Sequence, residues 1–469
     1  MMSVGAVGGP GALAARWGGW ILLALGLVFW AIVVVSTIRF VDRGATLAEL
    51  QFGFGPYVGE MLRSGRFADC SRLSTGGQCD HAARLPLLVW LAASLGKVSA
   101  NQMIATVLKD AIFAALSVST LAWMWRRLPA TNARLGTWLA VGVVLVVGLP
   151  VAKHAGQMNY EEGLGIPLLF LLGVFGPAAL RDDVHRRIAV AFLCFALATA
   201  SMLYLLKASY LFLLVVMLVA AIVWGVRRRA ALVLVAAGLA LLAPLSWGLH
   251  NKLSTDRFSI MTSYDGENLH LGWNRDTAAI YPWVAIDRVF DSPRAVLPDG
   301  SVVAMEAKPT RETFKDEWAW NDLNRAVAFG WIGANPATAF ELALRKAYNY
   351  FVYVGKTPLT YAAEGLTNPT SSVVQDAFVS IWLLSARLML AAFFAGCAVM
   401  WFRQPGQRGA VAVAAALAVA YAVPMVVGFN FERHVTAGLV LSLGSVLAIG
   451  PEAFEALQRS VSHRRARST

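Results

Sequence analysis

The chain has 469 residues, of which 58% are hydrophobic and only 14% are charged, and its mean hydropathy is +0.59. A typical soluble domain carries about 25% charged residues, so this composition excludes an ordinary soluble protein. The formal net charge is +12. Because many of the basic residues gather in short segments between apolar runs, the charge indicates membrane topology and gives no support to nucleic-acid binding.

Ten apolar runs approach the length of about 20 residues that a membrane-spanning helix needs. In chain order they cover residues 20–38, 103–125, 137–152, 164–180, 188–205, 209–226, 231–250, 377–401, 409–428 and 435–450. A single basic residue, Arg16, precedes the first run, and no small-residue cleavage site follows it. This favours a retained helix over a signal peptide. The sequence therefore predicts an all-α polytopic membrane protein.

The distribution of lysine and arginine predicts the orientation of these spans, because cytoplasmic loops carry an excess of both. With the N-terminus inside and ten crossings, the cytoplasmic segments hold 16 of the 40 basic residues and four of the 28 acidic ones. The rest of the chain holds 24 of each, so the whole net charge lies on one side. We therefore expect a multi-pass protein of a bacterial inner membrane, with both termini in the cytoplasm and the active site on the periplasmic face.

The spans divide the chain into three regions. Residues 1–250 hold the first seven spans and a first external loop (39–102), residues 251–376 form an external segment, and residues 377–469 hold the last three spans and a basic cytoplasmic tail. The apolar stretch 85–96 is too short to span and is predicted to be an interfacial helix. In 335–355, aromatic residues follow Arg345 and Lys346, as at a headgroup belt. No cytoplasmic segment is large enough for a nucleotide-binding domain, so the chemistry is expected outside.

The four cysteines fall into two classes. Cys70 and Cys79 lie in the first external loop, where an oxidising compartment permits a disulfide. Cys194 and Cys397 fall inside predicted spans and are interpreted as packing residues. The wide spacing of the external pair, with no second pair beside it, argues against a metal site. The sequence therefore predicts a Cys70–Cys79 disulfide.

Two adjacent carboxylates, Glu161 and Glu162, begin the fourth span in the stretch MNYEEGLGIP. One interpretation is a solvated turn whose acids lie at a helix N-terminus, where the helix dipole favours negative charge. The other is a proton-transfer or hard-cation site, which requires a further carboxylate from elsewhere. The first external loop offers Asp42, Glu49 and Glu60 for that purpose.

A set of short motifs occurs in a characteristic order along the chain. They are Glu49 ahead of Tyr57, EMLRSGRF (60–67), ARLPLLVW (83–90), YEEGL (160–164), LLKASYLFLL (205–214), DGENLHLGWN (265–274) and NFERHVTAGLVLSLG (430–444). Together they resemble the GT-C superfamily of membrane glycosyltransferases that use a polyprenyl-phosphate sugar, in particular its protein mannosyltransferase and lipid A aminoarabinose transferase branch. Members with the clearest signature carry an Asp-Glu pair directly before the tyrosine helix. This chain has only Glu49 there, and Asp42 lies several residues earlier.

The resemblance implies a GT-C-like bundle of about ten transmembrane helices with external interfacial helices and a periplasmic segment. It also implies an inverting glycosyltransferase that moves a sugar from a polyprenyl-phosphate donor to an acceptor hydroxyl on a glycan, lipid or protein. Many relatives use a divalent metal and others do without one. If Mg or Mn is used here, Glu49 and Glu162 would hold it. Membrane lipids are the remaining expected partner.

The expected site residues follow from the same motifs and from the charges inside spans. Glu49 is the preferred catalytic base, Asp42 is the other first-loop candidate, and Glu162 or Glu161 is the partner. The residues expected to hold the donor phosphate are Arg84, Lys207 and Arg433. Those expected to contact substrate are Tyr57, Asn268, His270 and Arg387. Because Arg387 lies near the middle of its predicted span, it either lines a cavity or forms a structural pair, for example with Asp110.

Two other classes of function fit a protein with many spans and a large external loop. One is an O-antigen polymerase or ligase, although such enzymes usually work through external arginines and histidines without an acid in the first loop. The other is a lipid-linked-sugar transporter, which predicts paired broken helices or inverted internal repeats. The sequence shows neither feature. The glycosyltransferase is therefore the leading hypothesis.

Overall fold

The structure, a computed structural model, describes most of the chain between residues 161 and 449 and parts of the chain before it. The described residues are 24, 27–28, 31, 34–35, 38, 46–47, 54–71, 78–99, 101–109, 111–112, 115, 161–281, 294–296, 301–304, 311–352, 373–428, 434–435, 437–446 and 448–449. For residues 161–163, 294–296, 312, 373–383 and 385 the description covers the backbone only.

Helices make up nearly all of the secondary structure in this part of the chain. They are α1 Phe54–Ser64, α2 Pro86–Gly96, α3 Glu161–Ala178, α4 Arg186–Leu206, α5 Leu211–Arg227, α6 Ala231–Ala240, α7 Leu242–Thr255, α8 Asp265–Gly272, α9 Arg275–Ile280, α10 Glu317–Ala334, α11 Pro336–Phe351, α12 Val373–Arg403, α13 Arg408–Val427 and α14 Ala437–Val446. An unlabelled helix covers 102–109. Strands β1 Arg294–Val296 and β2 Val302–Ala304 pair antiparallel, with Arg294 opposite Ala304.

Five helices of the described chain are long and apolar enough to cross a membrane, and each coincides with a predicted span. They are Arg186–Leu206, Ala208–Arg227, Ala231–Thr255, Ala386–Arg403 and Pro405–Val427. Two shorter apolar helices, Leu164–Ala178 and Ala437–Val446, coincide with two further predictions. The predicted spans 20–38, 103–125 and 137–152 lie mainly outside the described residues.

Short turns join consecutive spans, so neighbouring helices run antiparallel and their ends form two groups. One group, the basic end, contains the turns at 179–185, 228–230 and 404–407. The other group, the loop end, contains the start of α3, the end of α4 and the ends of α7 and α13. The arginines described at the basic end are Arg181, Arg186, Arg187, Arg227, Arg228, Arg229, Arg403 and Arg408. Such an end is the one that the positive-inside rule assigns to the cytoplasm.

Glycines allow α14 to approach α3 closely. A Cβ atom at Gly173 would lie 2.2 Å from the carbonyl oxygen of Leu441, and one at Gly444 would lie 2.5 Å from that of Phe170. Both distances are too short for any side chain, so this contact requires glycine. Small residues commonly permit such backbone contacts between helices in membranes.

The external segment packs as a second layer against the loop end of the spans. Helix α8 lies along α10, and α11 contacts α12 and α13. The small apolar core of this layer consists of Leu271, Trp273, Ile280, Tyr281, Ala328, Ala339 and Leu342. A Cβ atom at Gly266 would lie 2.1 Å from the carbonyl oxygen of Asn321, so glycine is needed where α8 meets α10. The layer places several predicted site residues beside the loop end.

We expect the loop end to face the periplasm and the basic end to face the cytoplasm. In a background with Cys194→Ala and Cys397→Ala, a cysteine replacing the exposed Glu341 on α11 will react with a membrane-impermeant maleimide in spheroplasts. A cysteine replacing the exposed Arg228 at the basic end will react only after permeabilisation. Reaction of Arg228→Cys in sealed spheroplasts would contradict this orientation.

Candidate active site at the loop end

The first external loop is closed by covalent and backbone bonds. Cys70 and Cys79 form a disulfide. Beside it, the backbones of Asp69 and Asp80 exchange hydrogen bonds of 2.8 and 2.9 Å. A disulfide that closes so short a loop contributes about 2–3 kcal/mol to the free energy of unfolding. Arg311 of the external segment pairs with Asp80, so the loop is also fixed to the layer that covers the spans.

Glu317, the first residue of α10, holds the peptide that leads to Arg84. Its buried carboxylate accepts hydrogen bonds from the His81 amide at 2.8 Å, the Ala82 amide at 3.0 Å and the Ser263 hydroxyl at 2.5 Å. The Ser263 amide in turn donates to the Ala82 carbonyl oxygen at 2.9 Å. Burial raises the pKa of Glu317, and its hydrogen-bond donors oppose that rise because they favour the charged form.

The guanidinium of Arg84 lies between two aromatic rings. Its Cζ atom is 5.2 Å from the ring centre of Phe54 and 4.6 Å from that of Tyr264, and the side chain is only partly buried. Stacking fixes the plane of a guanidinium while its N–H donors remain at the edge, where they can meet phosphate oxygens. Burial raises the pKa of the nearby Asp265 to about 6, and the charge of Arg84 opposes that rise.

Lys207 follows the last turn of α4 at the loop end. That turn is anchored by Tyr204, whose hydroxyl donates to the carbonyl oxygen of Ile260 at 2.6 Å. The stretch 260–264 also contains Tyr264, whose ring contacts Arg84, and Ser263, whose amide donates to the carbonyl oxygen of Ala82 in the same loop as Arg84. The same short stretch therefore fixes the end of α4 and the turn that carries Arg84.

The first turn of α3, which holds Glu161 and Glu162, lies at the same loop end. The side chains of these two residues are outside the described set. One turn further, Gly165 packs against Tyr210, since a Cβ atom there would lie 3.0 Å from the tyrosine hydroxyl oxygen. The Tyr210 amide donates to the carbonyl oxygen of Lys207 at 2.9 Å. The turn that carries Lys207 is therefore a neighbour of the predicted acids.

Three of the four residues predicted to contact substrate are buried in the protein, namely Tyr57, His270 and Arg387. Tyr57 is 1% exposed and lies 4.8 Å from Phe67 between ring centres. Burial, with the charge of Glu317 next, raises the pKa of Tyr57 well above its ordinary value. His270 is 5% exposed, with its Nδ1 atom 2.6 Å from Oδ1 of Asn324. The fourth, Asn268, is partly exposed. Substrate contact by these four residues stays a prediction.

Arg387 contacts the external layer from within α12. It lies 16 residues before Arg403, or about 24 Å from the basic end at the helical rise of about 1.5 Å per residue. Arg387 therefore lies near the middle of α12, which runs from Val373 to Arg403, as the sequence suggested. Its buried side chain donates to the carbonyl oxygen of Asn349 in α11 at 3.0 Å. Asp110, its suggested partner, lies outside the described residues.

Three predicted site residues, Asp42, Glu49 and Arg433, also lie outside the described residues, so their roles stay predictions. Arg433 follows the end of α13 at the loop end by six residues. Among the described side chains, no group of three or more His, Cys, Asp or Glu is placed to hold a metal ion. The two proposed metal ligands, Glu49 and Glu162, are not among those side chains.

Lys346 lies in a different environment from the one that the sequence pattern predicts. Its pattern suggested a headgroup belt, but the side chain is fully buried. Its Nζ atom donates to the carbonyl oxygens of Gly272 at 2.7 Å and Gly428 at 2.5 Å and lies 4.0 Å from the centre of the Trp273 ring. Burial lowers the pKa of Lys346 well below its ordinary value. The amine joins the end of α8 to the end of α13.

Glu317 was not predicted at all. The only local signal was Asp316, which caps α10 by accepting from the Trp318 and Ala319 amides at 2.9 and 2.8 Å. An aspartate before a helix predicts where the helix starts. It does not predict that the next residue binds the amide of His81, 236 positions earlier.

We expect Glu317→Ala to destabilise the external layer, at about 1–3 kcal/mol for each buried donor left without its partner. Glu341→Ala is the matched control, because that glutamate is exposed and pairs with Arg345 on the same helix. An exposed pair of this kind contributes at most about 1 kcal/mol. Thermal unfolding in detergent checks both variants. Equal midpoints for the two variants would contradict the role given to Glu317.

Comparison with known proteins identifies a distant likeness to two solved structures. No family model and no curated protein matches the chain. The two structures are of ArnT from Cupriavidus metallidurans, one bound to undecaprenyl phosphate and one in the apo state. Each has 15% sequence identity and a TM-score of 0.36. The aligned regions cover 92% of this chain and 78% of the bound ArnT chain, and 90% and 77% for the apo form. A likeness at this level does not by itself assign a function.

Proposed function

We propose that the protein is an inverting glycosyltransferase that moves a sugar from a polyprenyl-phosphate donor to an acceptor hydroxyl at the loop end. One observation carries the proposal. Arg84 and Lys207 are far apart in sequence, yet the turns that bear them are both fixed to the stretch 260–264. Two cations beside one membrane boundary suit a donor whose phosphate lies at the surface and whose chain lies in the bilayer.

The chemistry requires positive charge where the phosphate leaves. The acceptor oxygen forms a bond to the anomeric carbon while the bond from that carbon to the phosphate oxygen breaks. The leaving phosphate keeps the electron pair and gains negative charge. Arg84 offers a planar donor set held by Phe54 and Tyr264, and Lys207 adds a second cation. In this proposal Arg433 supplies a third from the loop end of α13.

A carboxylate takes the proton of the acceptor hydroxyl as the new bond forms. Glu49 is the proposed base, with Asp42 as the alternative in the first loop. Glu162 or Glu161 would position the hydroxyl from the first turn of α3. Adjacent residues on a helix point about 100° apart, so only one of these two faces the site squarely. Glu162 is preferred for that place, and Glu161 would cap the helix.

A divalent cation would bind Glu49 and Glu162 if the enzyme uses one. When bound, it supplies positive charge that stabilises the phosphate. The roles proposed above for Arg84, Lys207 and Glu49 are stated without a metal ion. The metal requirement is a proposal that activity with and without chelator would decide.

In this proposal the first part of a polyprenyl chain contacts a small apolar groove that lies just beyond Arg84 in the chain. The groove lies between α2 and the 102–109 helix and has a volume of about 30 Å³. The side chains that line it are Leu47, Leu88, Leu91, Ala92, Leu95, Ala105, Thr106 and Lys109. Helix α2 begins two residues after Arg84, so a chain in this groove would start near the proposed phosphate site. Because the positive-inside rule assigns the basic end to the cytoplasm, the proposed reaction takes place at the opposite, periplasmic face of an inner membrane.

We expect Arg84→Ala and Lys207→Ala each to lower kcat/KM for the donor by about 100- to 1,000-fold, as for the loss of one group that stabilises developing charge. Arg84→Lys should recover only part of the loss, because lysine lacks the planar donor set. Arg257→Ala is the matched control. That arginine also stacks on an aromatic ring, 4.6 Å from the centre of Trp318, but it pairs with Asp322. Equal losses in all three alanine variants would contradict the proposed phosphate site.

We expect Glu49→Gln to abolish turnover, since replacing a general base by its amide costs about 100- to 10,000-fold in rate. Glu162→Gln should impair turnover strongly and Glu161→Gln should matter less. Release of polyprenyl phosphate by purified variants measures the rates, and unchanged thermal midpoints exclude misfolding. Full activity of Glu49→Gln would move the base to Asp42 or remove this mechanism.

A further inference from the structure

Asp265 is a carboxylate at the loop end that has no role in the reaction as proposed above. It begins α8, and its Oδ2 atom accepts a hydrogen bond of 2.6 Å from the amide of Thr262. This bond turns the side chain back toward the turn that carries Tyr264, whose ring centre lies 4.6 Å from Cζ of Arg84. The carboxylate also interacts electrostatically with the hydroxyl of Tyr204 in the last turn of α4. Asp265 therefore lies beside both the Arg84 loop and the end of α4.

Arg325 approaches the same carboxylate from α10. The amide of Gly266 donates to Oδ1 of Asn321 at 2.7 Å, so the first turn of α8 packs against α10 at this point. Arg325 lies four residues after Asn321, on the same side of that helix. Burial raises the pKa of Asp265 to about 6, and the charges of Arg325 and Arg84 both oppose that rise. One carboxylate thus has two arginine neighbours, one from the external layer and one from the first loop.

We propose that Asp265 is a positioning residue that limits the affinity of Arg84 for the donor phosphate, and that Arg325 weakens this limit by sharing the charge of Asp265. The inference rests on the proposed function, because it requires a phosphate at Arg84. An ionised Asp265 neutralises part of the charge of Arg84 and repels the phosphate. Arg325 attracts the same carboxylate, so more of the charge of Arg84 is left for the donor.

This arrangement couples donor binding to a proton. A phosphate at Arg84 adds negative charge beside Asp265 and so raises the pKa of that carboxyl further. Donor binding then takes up a proton, and affinity increases as pH falls through the pKa of the free protein. In the described part of the chain, Arg84 on the first loop, Arg325 on α10 and Tyr204 on α4 face Asp265 from neighbouring elements. Glu267 lies on the same helix as Asp265.

Binding of a synthetic polyprenyl methyl phosphate to the full chain in phosphatidylcholine nanodiscs tests the inference. The probe is a phosphodiester like the donor, so it lacks the second ionisation, near about pH 6, of a phosphate monoester. Its Kd is measured at about pH 5.5 and at about pH 8, on either side of the pKa of Asp265. Asp322→Asn is the matched control. Asp322 also interacts with Arg325, but it is exposed and pairs with Arg257.

At the higher pH we expect Asp265→Asn to tighten binding about tenfold and Arg325→Gln to weaken it by a similar factor. The double variant should bind as tightly as Asp265→Asn alone, because Arg325 acts through that carboxylate. Arg325→Lys, which keeps the charge, should bind nearly as the wild type does. Wild-type affinity should increase about tenfold at the lower pH, since one proton is taken up on binding. This increase should be lost in Asp265→Asn and retained in Asp322→Asn.

An equal effect of Arg325→Gln with and without Asp265→Asn would overturn the inference, as would an unchanged pH dependence in Asp265→Asn. Arg84→Ala separates this failure from failure of the proposed function, since wild-type affinity in that variant would reject the phosphate site itself. Thermal midpoints show which variants fold. If Asp265→Asn does not fold, Arg325→Gln and Arg325→Lys carry the test. Equal binding by these two variants would then overturn the inference.

Discussion

The geometry of the loop end depends on the hydrogen bonds that the buried carboxylate of Glu317 accepts. A buried charge is costly unless donors surround it. Glu317 finds these donors in the amides of His81 and Ala82 and in the hydroxyl of Ser263. The external segment thereby fixes the first loop two residues before Arg84. Without this contact, only the hydrogen bond from the Ser263 amide to the Ala82 carbonyl oxygen and the Arg311–Asp80 ion pair would join this part of the loop to the external segment, apart from ring stacking.

A second constraint is the separation of charge between the two ends of the bundle. Ionisable side chains avoid the hydrocarbon, so they gather at its two boundaries. The basic end carries a run of arginines, and the loop end carries Arg84 and Lys207 together with carboxylates such as Asp80, Asp265 and Glu317. Burial raises the pKa of Asp80 to about 6, and the charge of Glu317 adds to the rise. Mixed charges at one boundary suit proton transfer and phosphate binding. The excess of arginine at the basic end, where Asp182 and Asp183 are the acids of the 179–185 turn, is instead typical of a topology signal.

Local sequence patterns predicted the membrane-spanning helices. Apolar runs gave the five long helices to within a few residues. One exception is the run predicted to end at 250, which continues to Thr255 because the polar residues that follow still form helix, with Lys252 paired to Asp256. The disulfide partners were also predicted, since Cys70 and Cys79 are close in sequence. These features depend on neighbouring residues, which the sequence displays directly.

The arrangement of the site depends on contacts between distant segments, which no local pattern encodes. Lys346 follows Arg345 and precedes several aromatics, so the local pattern favoured a headgroup position. The structure instead buries it, because carbonyl oxygens of Gly272 and Gly428 meet its amine. No local pattern predicted the role of Glu317 either, because its hydrogen-bond donors lie near residues 81 and 263. Arg84 and Lys207 were predicted from family motifs, but the stretch 260–264 that links them was not.

The most direct test is to incubate the purified protein with a panel of polyprenyl-phosphate sugars and candidate acceptors and to measure the lipid product. Release of polyprenyl phosphate, matched by transfer of the sugar with inversion at the anomeric carbon, is the predicted result. Release of polyprenyl diphosphate from diphosphate-linked glycans, with no reaction of the monophosphate donors, would contradict the proposal and favour a polymerase or ligase.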